Sequence, residues 1–343
     1  MPISDLSSGF HTRFPDPVVT IDSHTAGEPT RLVVGGLPPI RGKDMKAKRE
    51  YFQTRLDPIR CLLTREPRGH RDLFAAVLTE PVSDQAAFGL IYMDPRRYPY
   101  LCGHASIGAV TTLLELGGIK ASGPHVELTV DTPSGPMATT AVWDGSRVQG
   151  VTIQTVPSFV YQTGQEIIIP GYDTIRVDTV CVGGFFAMVD IDQLNLTLQD
   201  TETLTSLGME IIAQANRQLQ VAHPCRPEVN SVDVVEFYTL NPSSPLAGQS
   251  VVIYGEAHVD RSPCGTGTAA KLTLLHHLGY IEPGQIYTNQ SPTGTTFQAT
   301  IANTTYIGDL PGVEVRIQGA ASITGRHEFV LDPHDPFPQG FLL

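Results

Sequence analysis

Residues 264–270 read Cys-Gly-Thr-Gly-Thr-Ala-Ala, and residues 102–108 read Cys-Gly-His-Ala-Ser-Ile-Gly. In each stretch a thiol stands directly before a glycine, and an apolar run follows that ends at Gly279 or at Gly117. A run of this length between two glycines predicts a helix of about fourteen residues. A helix that is apolar on most of its faces is buried by its neighbours. The sequence therefore predicts two buried helices, each with a thiol at its N-terminus.

Segments with the residue pattern of short β-strands surround both helices. They lie at 73–78, 88–93, 126–180, 232–240, 250–254, 295–302 and 313–323. Near the N-terminus, 18–22 is predicted to be a strand that ends in a polar loop at 23–29. Two surface helices are predicted, one at 44–63 that Asp57-Pro58 kinks or divides, and one at 204–218.

This pattern favours an α/β (α+β) fold with two pseudo-symmetric lobes. Each lobe is expected to be a β-barrel-like sheet around a central helix, with the active site between the lobes. Residues 1–155 together with 325–343 are assigned to the first lobe, which carries Cys102. Residues 156–324 are assigned to the second lobe, which carries Cys264. A length of 343 residues accommodates two domains.

Composition narrows the classes of partner and location. The formal net charge of −12 disfavours nucleic acid and anionic membranes as partners. The sequence offers neither a signal-peptide pattern nor an apolar run long enough for a membrane span. Its five cysteines, odd in number and widely scattered, argue against a disulfide scaffold. We therefore expect a cytoplasmic protein with reduced thiols.

A thiol at a helix N-terminus is suited to proton transfer on a small anion. The unpaired N–H groups and partial positive charge there lower a thiol pKa and hold a carboxylate. Two such thiols facing each other would remove a proton from one face of a carbon and return it to the other face. The alternatives for Cys102 and Cys264 are small buried core residues, or a structural disulfide, which a reducing cytosol disfavours.

His104 and Asp260 stand close to these thiols in the sequence, and each has two interpretations. His104 either contacts the substrate or caps and packs against its helix. Asp260 either pairs with a protonated ring nitrogen or caps a loop. Their position beside the thiols favours a role in substrate binding for both.

A metal site is the rival to thiol chemistry, because His24, His70 and Cys102 could converge in the fold. No His-x-x-x-His or Cys-x-x-Cys spacing supports it. The run Gly265-Thr266-Gly267 lacks the third glycine of a dinucleotide fingerprint, and no lysine has a Schiff-base context. We therefore expect neither a metal nor a cofactor.

Three motifs together carry a resemblance to a known family. They are Asp22-Ser23-His24-Thr25-Ala26-Gly27-Glu28-Pro29, Cys102-Gly103-His104 and Asp260-Arg261-Ser262-Pro263-Cys264-Gly265-Thr266-Gly267, with support from Glu66-Pro67-Arg68-Gly69-His70. The chain resembles, over nearly its whole length, the proline racemase family, which includes 4-hydroxyproline 2-epimerases and trans-3-hydroxy-L-proline dehydratases. The resemblance implies a diaminopimelate epimerase-like fold, a homodimer, an imino-acid substrate and a two-base mechanism without a cofactor.

The resemblance also assigns roles to residues of this chain. It makes Cys102 and Cys264 the catalytic acid–base pair. It implies that the substrate carboxylate is held, largely through backbone N–H groups, by Gly103, His104, Gly265 and Thr266. It implies that the ring nitrogen meets His104 and Asp260. By family position, the walls around the ring are Phe74, Val234 and Tyr254, for which ordinary core packing is the alternative.

The family's subgroups differ at the second thiol and in the pocket walls. Dehydratases typically carry Thr at the position of Cys264, although the stretches 47–51 and 68–72 of this chain look dehydratase-like. Phe74 and Val234 offer no partner for a 4-hydroxyl, and an unpaired hydroxyl in a closed site costs about 1–3 kcal/mol. Tyr254, by contrast, could bond such a hydroxyl. Proline racemisation is the preferred hypothesis. The alternatives are trans-3-hydroxy-L-proline dehydration, 4-hydroxyproline 2-epimerisation, and a non-catalytic protein that binds a pyrrolidine carboxylate.

Overall fold

The computed structural model describes residues 4–343. Within this range the chain forms six α-helices and a continuously hydrogen-bonded set of seventeen β-strands. The helices are α1 Ser4–Arg13, α2 Met45–Arg55, α3 Asp57–Thr64, α4 Gly103–Glu115, α5 Thr201–Gln218 and α6 Gly265–His277. The strands are β1 Val18–Thr25, β2 Glu28–Gly35, β3 Ala75–Thr79, β4 Phe88–Met93, β5 His125–Thr132, β6 Gly135–Trp143, β7 Val148–Gln154, β8 Ser158–Ile169, β9 Asp173–Val182, β10 Gly184–Asp190, β11 Val232–Tyr238, β12 Ala247–Tyr254, β13 His258–Val259, β14 Tyr287–Gln290, β15 Thr296–Ile307, β16 Leu310–Gly319 and β17 Ala321–Phe329.

The first barrel is closed by strands from both ends of the chain. From β1 to β7, each strand pairs with the next one in the sequence. The pairs β2–β3 and β4–β5 are parallel, and the other pairs are antiparallel. At one edge β7 pairs with β16, and at the other β1 pairs with β17. Because β16 runs into β17 with only Ala320 between them, this long strand completes the ring. The ring surrounds α4, which contacts β1, β2, β3, β7 and β17.

The second barrel is a ring in its own right. Its strands pair in the order β8, β16, β15, β14, β12, β11, β10, β9 and back to β8. It surrounds α6, which contacts β8, β9, β10, β15 and β16. The strand β16 is therefore shared by the two barrels. The α/β (α+β) architecture predicted from the sequence is confirmed, whereas the lobe boundaries at 155/156 and 324/325 stay a prediction.

The two central helices are apolar all round because a barrel encloses each of them. In α4, Ala105, Ile107 and Val110 are fully buried although they point in different directions. In α6, Leu272 and Leu275 are buried in the same way. Burying one such aliphatic side chain contributes about 1.5–3 kcal/mol relative to exposure. This burial fixes the helix axes, and with them the position of the residue that precedes each helix.

The remaining long helices cover the outer faces of the barrels. The predicted helix at 44–63 is divided, as expected, into α2 and α3, with Pro58 in the first turn of α3. Asp44 caps α2, since its Oδ1 accepts a hydrogen bond of 2.8 Å from the N–H of Ala47. Helix α5 covers the second barrel, packing on β8, β11 and β12. Within residues 4–343 none of the helices is both long and apolar enough to cross a membrane.

The polar loop predicted at 23–29 is wrong. The strand β1 continues to Thr25 and β2 begins at Glu28, so that only Ala26 and Gly27, both at positive φ, form the turn. Two of the polar side chains in these strands, those of Thr25 and Glu28, are bonded by distant groups. The hydroxyl of Thr25 donates to the carbonyl of His104 at 2.7 Å, and the carboxylate of Glu28 contacts the other barrel.

Candidate active site

The two thiols predicted from the sequence occupy equivalent places in the two barrels. Cys102 is the residue immediately before α4, and Cys264 is the residue immediately before α6. The N-termini of these helices approach each other, because a β-carbon placed on Gly265 would lie 3.9 Å from the Cα of Gly103. The fold therefore directs two helix N-termini, each preceded by a thiol, at one small region between the barrels.

Cys102 has an extended backbone and a histidine beside its sulfur. Its φ is −149°, and its Sγ lies 3.2 Å from Nδ1 of His104. Its carbonyl accepts hydrogen bonds from the N–H of Ser106 at 3.2 Å and from the hydroxyl of Ser106 at 2.7 Å. That hydroxyl also lies 2.6 Å from the buried hydroxyl of Tyr92. This chain of bonds ties the first thiol to the barrel wall.

Cys264 has a less common backbone conformation. Its φ is +59°, in the left-handed region that non-glycine residues seldom adopt and that costs about 1–3 kcal/mol. Its Sγ accepts a hydrogen bond from the N–H of Gly267 at 3.3 Å and lies 3.5 Å from the hydroxyl of Thr266. Its own N–H donates to the hydroxyl of Ser262 at 3.0 Å. The second thiol thus sits directly on the N–H groups of its helix.

The sequence predicted that the helix N-termini lower the pKa of both thiols. That prediction is wrong, because the net change in both pKa values is upward. Burial raises the pKa of both thiols well above the usual range, and the negative charge of Asp260 raises both further. The backbone N–H groups of Ala105 and His104 lower the pKa of Cys102, and hydrogen bonds from Thr266 and Gly267 lower that of Cys264. Desolvation outweighs these donors, because both sulfurs lie between the barrels.

His104 and Asp260 both lie at this region, and both are buried. Burial lowers the pKa of His104 to about 4, so the imidazole is neutral at neutral pH. Burial and the negative charge of Glu28 raise the pKa of Asp260 to about 7. Its Oδ1 accepts from the N–H of Ser262 at 2.9 Å and from the hydroxyl of Ser262 at 2.7 Å. A cation placed beside this carboxyl group would favour its ionised form.

The three predicted wall residues lie close to the thiols. The ring of Phe74 packs edge-on against the imidazole of His104, with ring centroids 4.9 Å apart. Val234 and Tyr254 are cross-strand neighbours on β11 and β12, and both are half-buried. Burial raises the pKa of Tyr254, and the negative charges of Asp260, Glu28 and both thiols raise it further. The three wall residues and both thiols belong to one contiguous cluster of packed side chains.

A cluster of charged residues joins the two lobes beside the thiols, and sequence reasoning did not identify it. The fully buried carboxylate of Glu28 accepts from Nε2 of His258 at 2.9 Å and from the N–H of Arg261 at 2.8 Å. Asp72 accepts from Nη2 of Arg261 at 2.7 Å and lies 3.4 Å from Nδ1 of His258. The ring of Tyr254 stacks on His258 at 4.4 Å. Glu28 and Asp72 come from the first barrel, and their partners come from the segment that leads to Cys264.

Glu28 is ionised in this cluster. Burial alone would raise its pKa, but the hydrogen bond and charge of His258, with help from the N–H of Arg261, bring the pKa below its usual range. The only signal in the sequence was its place in the motif at 22–29. Nothing local showed that its carboxylate is buried against residues more than 200 positions away.

The rival metal site finds no support among the described residues. His24 accepts a hydrogen bond from the N–H of Gly27 at 3.2 Å, and His70 accepts one from the N–H of Asp72 at 3.2 Å. Across residues 4–343, no three His, Cys, Asp or Glu side chains are grouped so that they could hold a metal ion.

Comparisons with known proteins agree with this geometry. The family model described as proline racemase matches residues 20–342. A proline racemase of Clostridioides difficile is 40% identical over 334 residues, which span 96% of this chain and 99% of that protein. A trans-3-hydroxy-L-proline dehydratase of Bacillus thuringiensis subsp. konkukian is 33% identical over 94% of this chain and 97% of that protein.

A solved structure extends the agreement to the whole fold. The hydroxyproline epimerase of Agrobacterium vitis, solved with bound trans-4-hydroxy-L-proline, superimposes with a TM-score of 0.86. It is 30% identical, and the match covers 96% of each chain. The matched family model, the sequence identity over almost the full length and the shared two-barrel fold lead to one conclusion: the chain belongs to the proline racemase family.

Proposed function

We propose that this protein racemises proline at the α-carbon without a cofactor, with Cys102 and Cys264 as the acid–base pair. The observation that carries the proposal is the approach of the two helix N-termini, at 3.9 Å between a β-carbon on Gly265 and the Cα of Gly103, with a thiol immediately before each. A small substrate lying between them would present opposite faces of its α-carbon to the two sulfurs. The 40% identity to a proline racemase supports the same reaction.

The helix N-termini would bind the substrate carboxylate. The N–H groups of Gly103, His104, Gly265 and Thr266 belong to the first turns of α4 and α6, where backbone donors have no partner within the helix. Removing the α-proton of an amino acid builds negative charge on the carboxylate. A preorganised donor aimed at such a charge lowers the activation free energy by about 3–4 kcal/mol. Water exclusion between the barrels strengthens these bonds.

Proton transfer requires one thiol and one thiolate. The thiolate removes the α-proton, and the opposite thiol donates its proton to the other face, so the two sulfurs exchange roles in the reverse direction. Because the two thiols titrate as a pair, the active form carries a single proton between them.

The substrate itself favours the thiolate. The charge of Asp260 raises the pKa of both thiols, and the cationic ring nitrogen of proline placed beside Asp260 would offset that charge. His104, which is neutral, would accept a hydrogen bond from the same nitrogen or stay bonded to the sulfur of Cys102. Binding of the cation would thus generate the reactive form of the pair only when substrate is present.

The pocket walls favour proline over hydroxyprolines. Phe74 and Val234 present apolar groups to the ring, and a hydroxyl left unpaired there costs about 1–3 kcal/mol. Cys264 also departs from the dehydratase pattern, since elimination of a β-hydroxyl needs no proton donor on the opposite face. Dehydration of trans-3-hydroxy-L-proline and 2-epimerisation of 4-hydroxyproline are the second candidates. Two observations support these candidates. The chain is similar to proteins with those names, and the hydroxyl of Tyr254 could bond a hydroxyl of the substrate.

We further propose a cytoplasmic homodimer with a small imino acid as its only substrate partner, and with its lobes divided at 155/156 and 324/325. All five cysteines lie in the described range and are free thiols, a state that a reducing compartment maintains. Sedimentation velocity of the purified protein tests the dimer.

A substrate panel tests the reaction. Purified protein is incubated separately with L-proline, D-proline, trans-4-hydroxy-L-proline and trans-3-hydroxy-L-proline, and the products are separated by chiral chromatography. The proposal predicts equal amounts of the two proline enantiomers at equilibrium from either starting enantiomer. A pyrroline product from the 3-hydroxy substrate, with proline left unchanged, would favour the dehydratase instead.

A further inference from the structure

The backbone conformation of Cys264 is held by groups that the proposed chemistry does not use. The peptide bond between Pro263 and Cys264 has both of its polar groups bonded. The carbonyl of Pro263 accepts from the amide nitrogen of Asn289 at 3.2 Å and from the hydroxyl of Thr268 at 3.0 Å. The N–H of Cys264 donates to the hydroxyl of Ser262. The plane of this peptide is therefore fixed, and with it the rotation that gives Cys264 its positive φ.

Asn289 is the centre of this arrangement. It comes from β14, opposite Gly248 on β12, and its side chain is fully buried. Its amide nitrogen also lies 2.8 Å from the hydroxyl of Ser250 and 3.0 Å from that of Thr268, and both of these residues are buried. A single amide group thus joins two strands of the second barrel to the residue before the thiol. Because Asn289, Ser250 and Thr268 are all buried, solvent does not reach these groups to replace a lost bond.

The first thiol is tied to a distant strand only indirectly, through the hydroxyl of Ser106, which lies 2.6 Å from that of Tyr92 on β4. Cys102 has an extended φ of −149°, and its carbonyl is bonded by Ser106 one turn further along the same helix. The two thiols are therefore held by different means. A residue in a left-handed conformation persists only when its surroundings over-determine it. Loss of one anchor should consequently move Cys264 and leave Cys102 in place.

We propose that Asn289 is a positioning residue for the second thiol: it holds the Pro263 carbonyl, and through it the left-handed backbone that aims the sulfur of Cys264 at the α-carbon. The effect on catalysis rests on the proposed function, whereas the anchoring of the Cys264 backbone does not. Asn289 touches no substrate in this account and acts through Cys264 alone.

The test uses the full-length protein with Asn289→Leu, which keeps a similar volume and removes both amide hydrogens. A displacement of the reacting group by about 1 Å costs on the order of 100-fold in rate. We expect kcat for proline to fall by about 10- to 100-fold with KM changed by less than about threefold. Thr268→Val removes the second donor to the Pro263 carbonyl and serves if Asn289→Leu does not fold. Asn303→Ala, at an exposed asparagine bonded to Glu314 on the neighbouring strand, is the matched control and should leave kcat unchanged.

The partition between α-hydrogen exchange and inversion separates positioning from general damage. In deuterated water, a substrate deprotonated by Cys102 needs Cys264 to complete inversion. With Cys264 misplaced, the proton on Cys102 has time to exchange with deuterated water, and Cys102 then returns a deuteron to the face from which the proton came, so the hydrogen exchanges without inversion. The ratio of exchange to inversion should therefore rise for one enantiomer of proline and stay unchanged for the other. An equal fall in both processes for both enantiomers would overturn the proposal.

Alkylation by iodoacetamide tests the anchoring without substrate. Peptide mass spectrometry follows both thiols in one sample. We expect the rate at Cys264 relative to Cys102 to change by more than about threefold in Asn289→Leu or Thr268→Val, since one hydrogen bond corresponds to about 1 kcal/mol. An unchanged ratio in both variants would contradict the inference. If the unmodified protein neither exchanges nor inverts proline, the proposed function fails, and this alkylation ratio still decides the role of Asn289.

Discussion

The buried carboxylate of Glu28 offers the sharpest test of how the two lobes are held around the site. It is a first-barrel group with no exposure to solvent, and both of its oxygens are bonded to the segment that leads to Cys264. Replacing it in Glu28→Gln keeps the shape and removes the charge. The new amide group then faces either Nε2 of His258 or the N–H of Arg261, so one of these donors loses its acceptor.

The magnitude follows from those two bonds. A hydrogen bond to a charged group contributes about 1.5–3 kcal/mol, and a buried donor left unpaired costs about 1–3 kcal/mol. These ranges overlap because they describe partly the same loss. We expect Glu28→Gln to lower the free energy of unfolding by about 2–4 kcal/mol at neutral pH.

The pH dependence has a definite sign. The pKa of Glu28 lies below its ordinary value of 4.5 in the folded protein, so its charge stabilises the fold above that value. That contribution is lost as the pH falls through the folded pKa, because the protonated acid no longer gains from its partners. The difference between Glu28→Gln and the unmodified protein should shrink as the pH falls below about 4.5, because Glu28 then becomes protonated.

Urea unfolding followed by circular dichroism measures the difference at each pH. Glu127→Gln, at an exposed glutamate on β5, is the matched control and should change the unfolding free energy by less than about 0.5 kcal/mol. The reasoning is refuted if Glu28→Gln unfolds at the same urea concentration as the unmodified protein at neutral pH, or if the difference grows towards acid.

Three further predictions concern the site itself. Cys102→Ser and Cys264→Ser should each lower kcat for proline by at least about 100-fold, because each removes one of two acid–base groups. Polarimetry of L-proline solutions measures this loss. A fully active Cys264→Ser would contradict the two-thiol mechanism. Because burial raises the pKa of both thiols, kcat/KM should rise from about pH 6 to about pH 9; in Asp260→Asn the rise should begin at lower pH, since the charge of Asp260 raises both values. The methyl group of Gly265→Ala would lie 3.9 Å from the Cα of Gly103, which is an ordinary contact, so the variant should melt within a few degrees of the unmodified protein in a thermal scan. Its KM for proline should rise by at least about tenfold. An unchanged KM would place the carboxylate elsewhere.

The part of the fold that could be predicted from the sequence is the part with a local cause. The buried helices α4 and α6 follow from an apolar run bounded by glycines, and the thiol before each helix is visible in the same stretch. The division of the helix at 44–63 follows from one proline. These features need no knowledge of what the chain packs against.

The features that were missed depend on residues far apart in the chain. The segment from Ser23 to Glu28 looks like a loop because two of its polar groups have distant partners: Thr25 bonds to His104, 79 positions away, and Glu28 bonds to the other barrel. Closure of the first barrel needs β17, from the end of the chain, to pair with β1. The thiol pKa values were expected to fall because helix N–H groups are local and visible, whereas the burial that raises them is a property of the assembled lobes.

The proposal that a proton leaves one face of the α-carbon and another arrives on the opposite face is tested most directly by isotope placement in early product. L-Proline is incubated with the unmodified protein in deuterated water, and both enantiomers are isolated before about 5% conversion and analysed by mass spectrometry. The two-thiol account predicts that the D-proline formed carries one deuterium at the α-carbon while the remaining L-proline still carries protium. D-Proline that retains the original protium, or deuterium that enters both enantiomers at the same rate from the start, would contradict it.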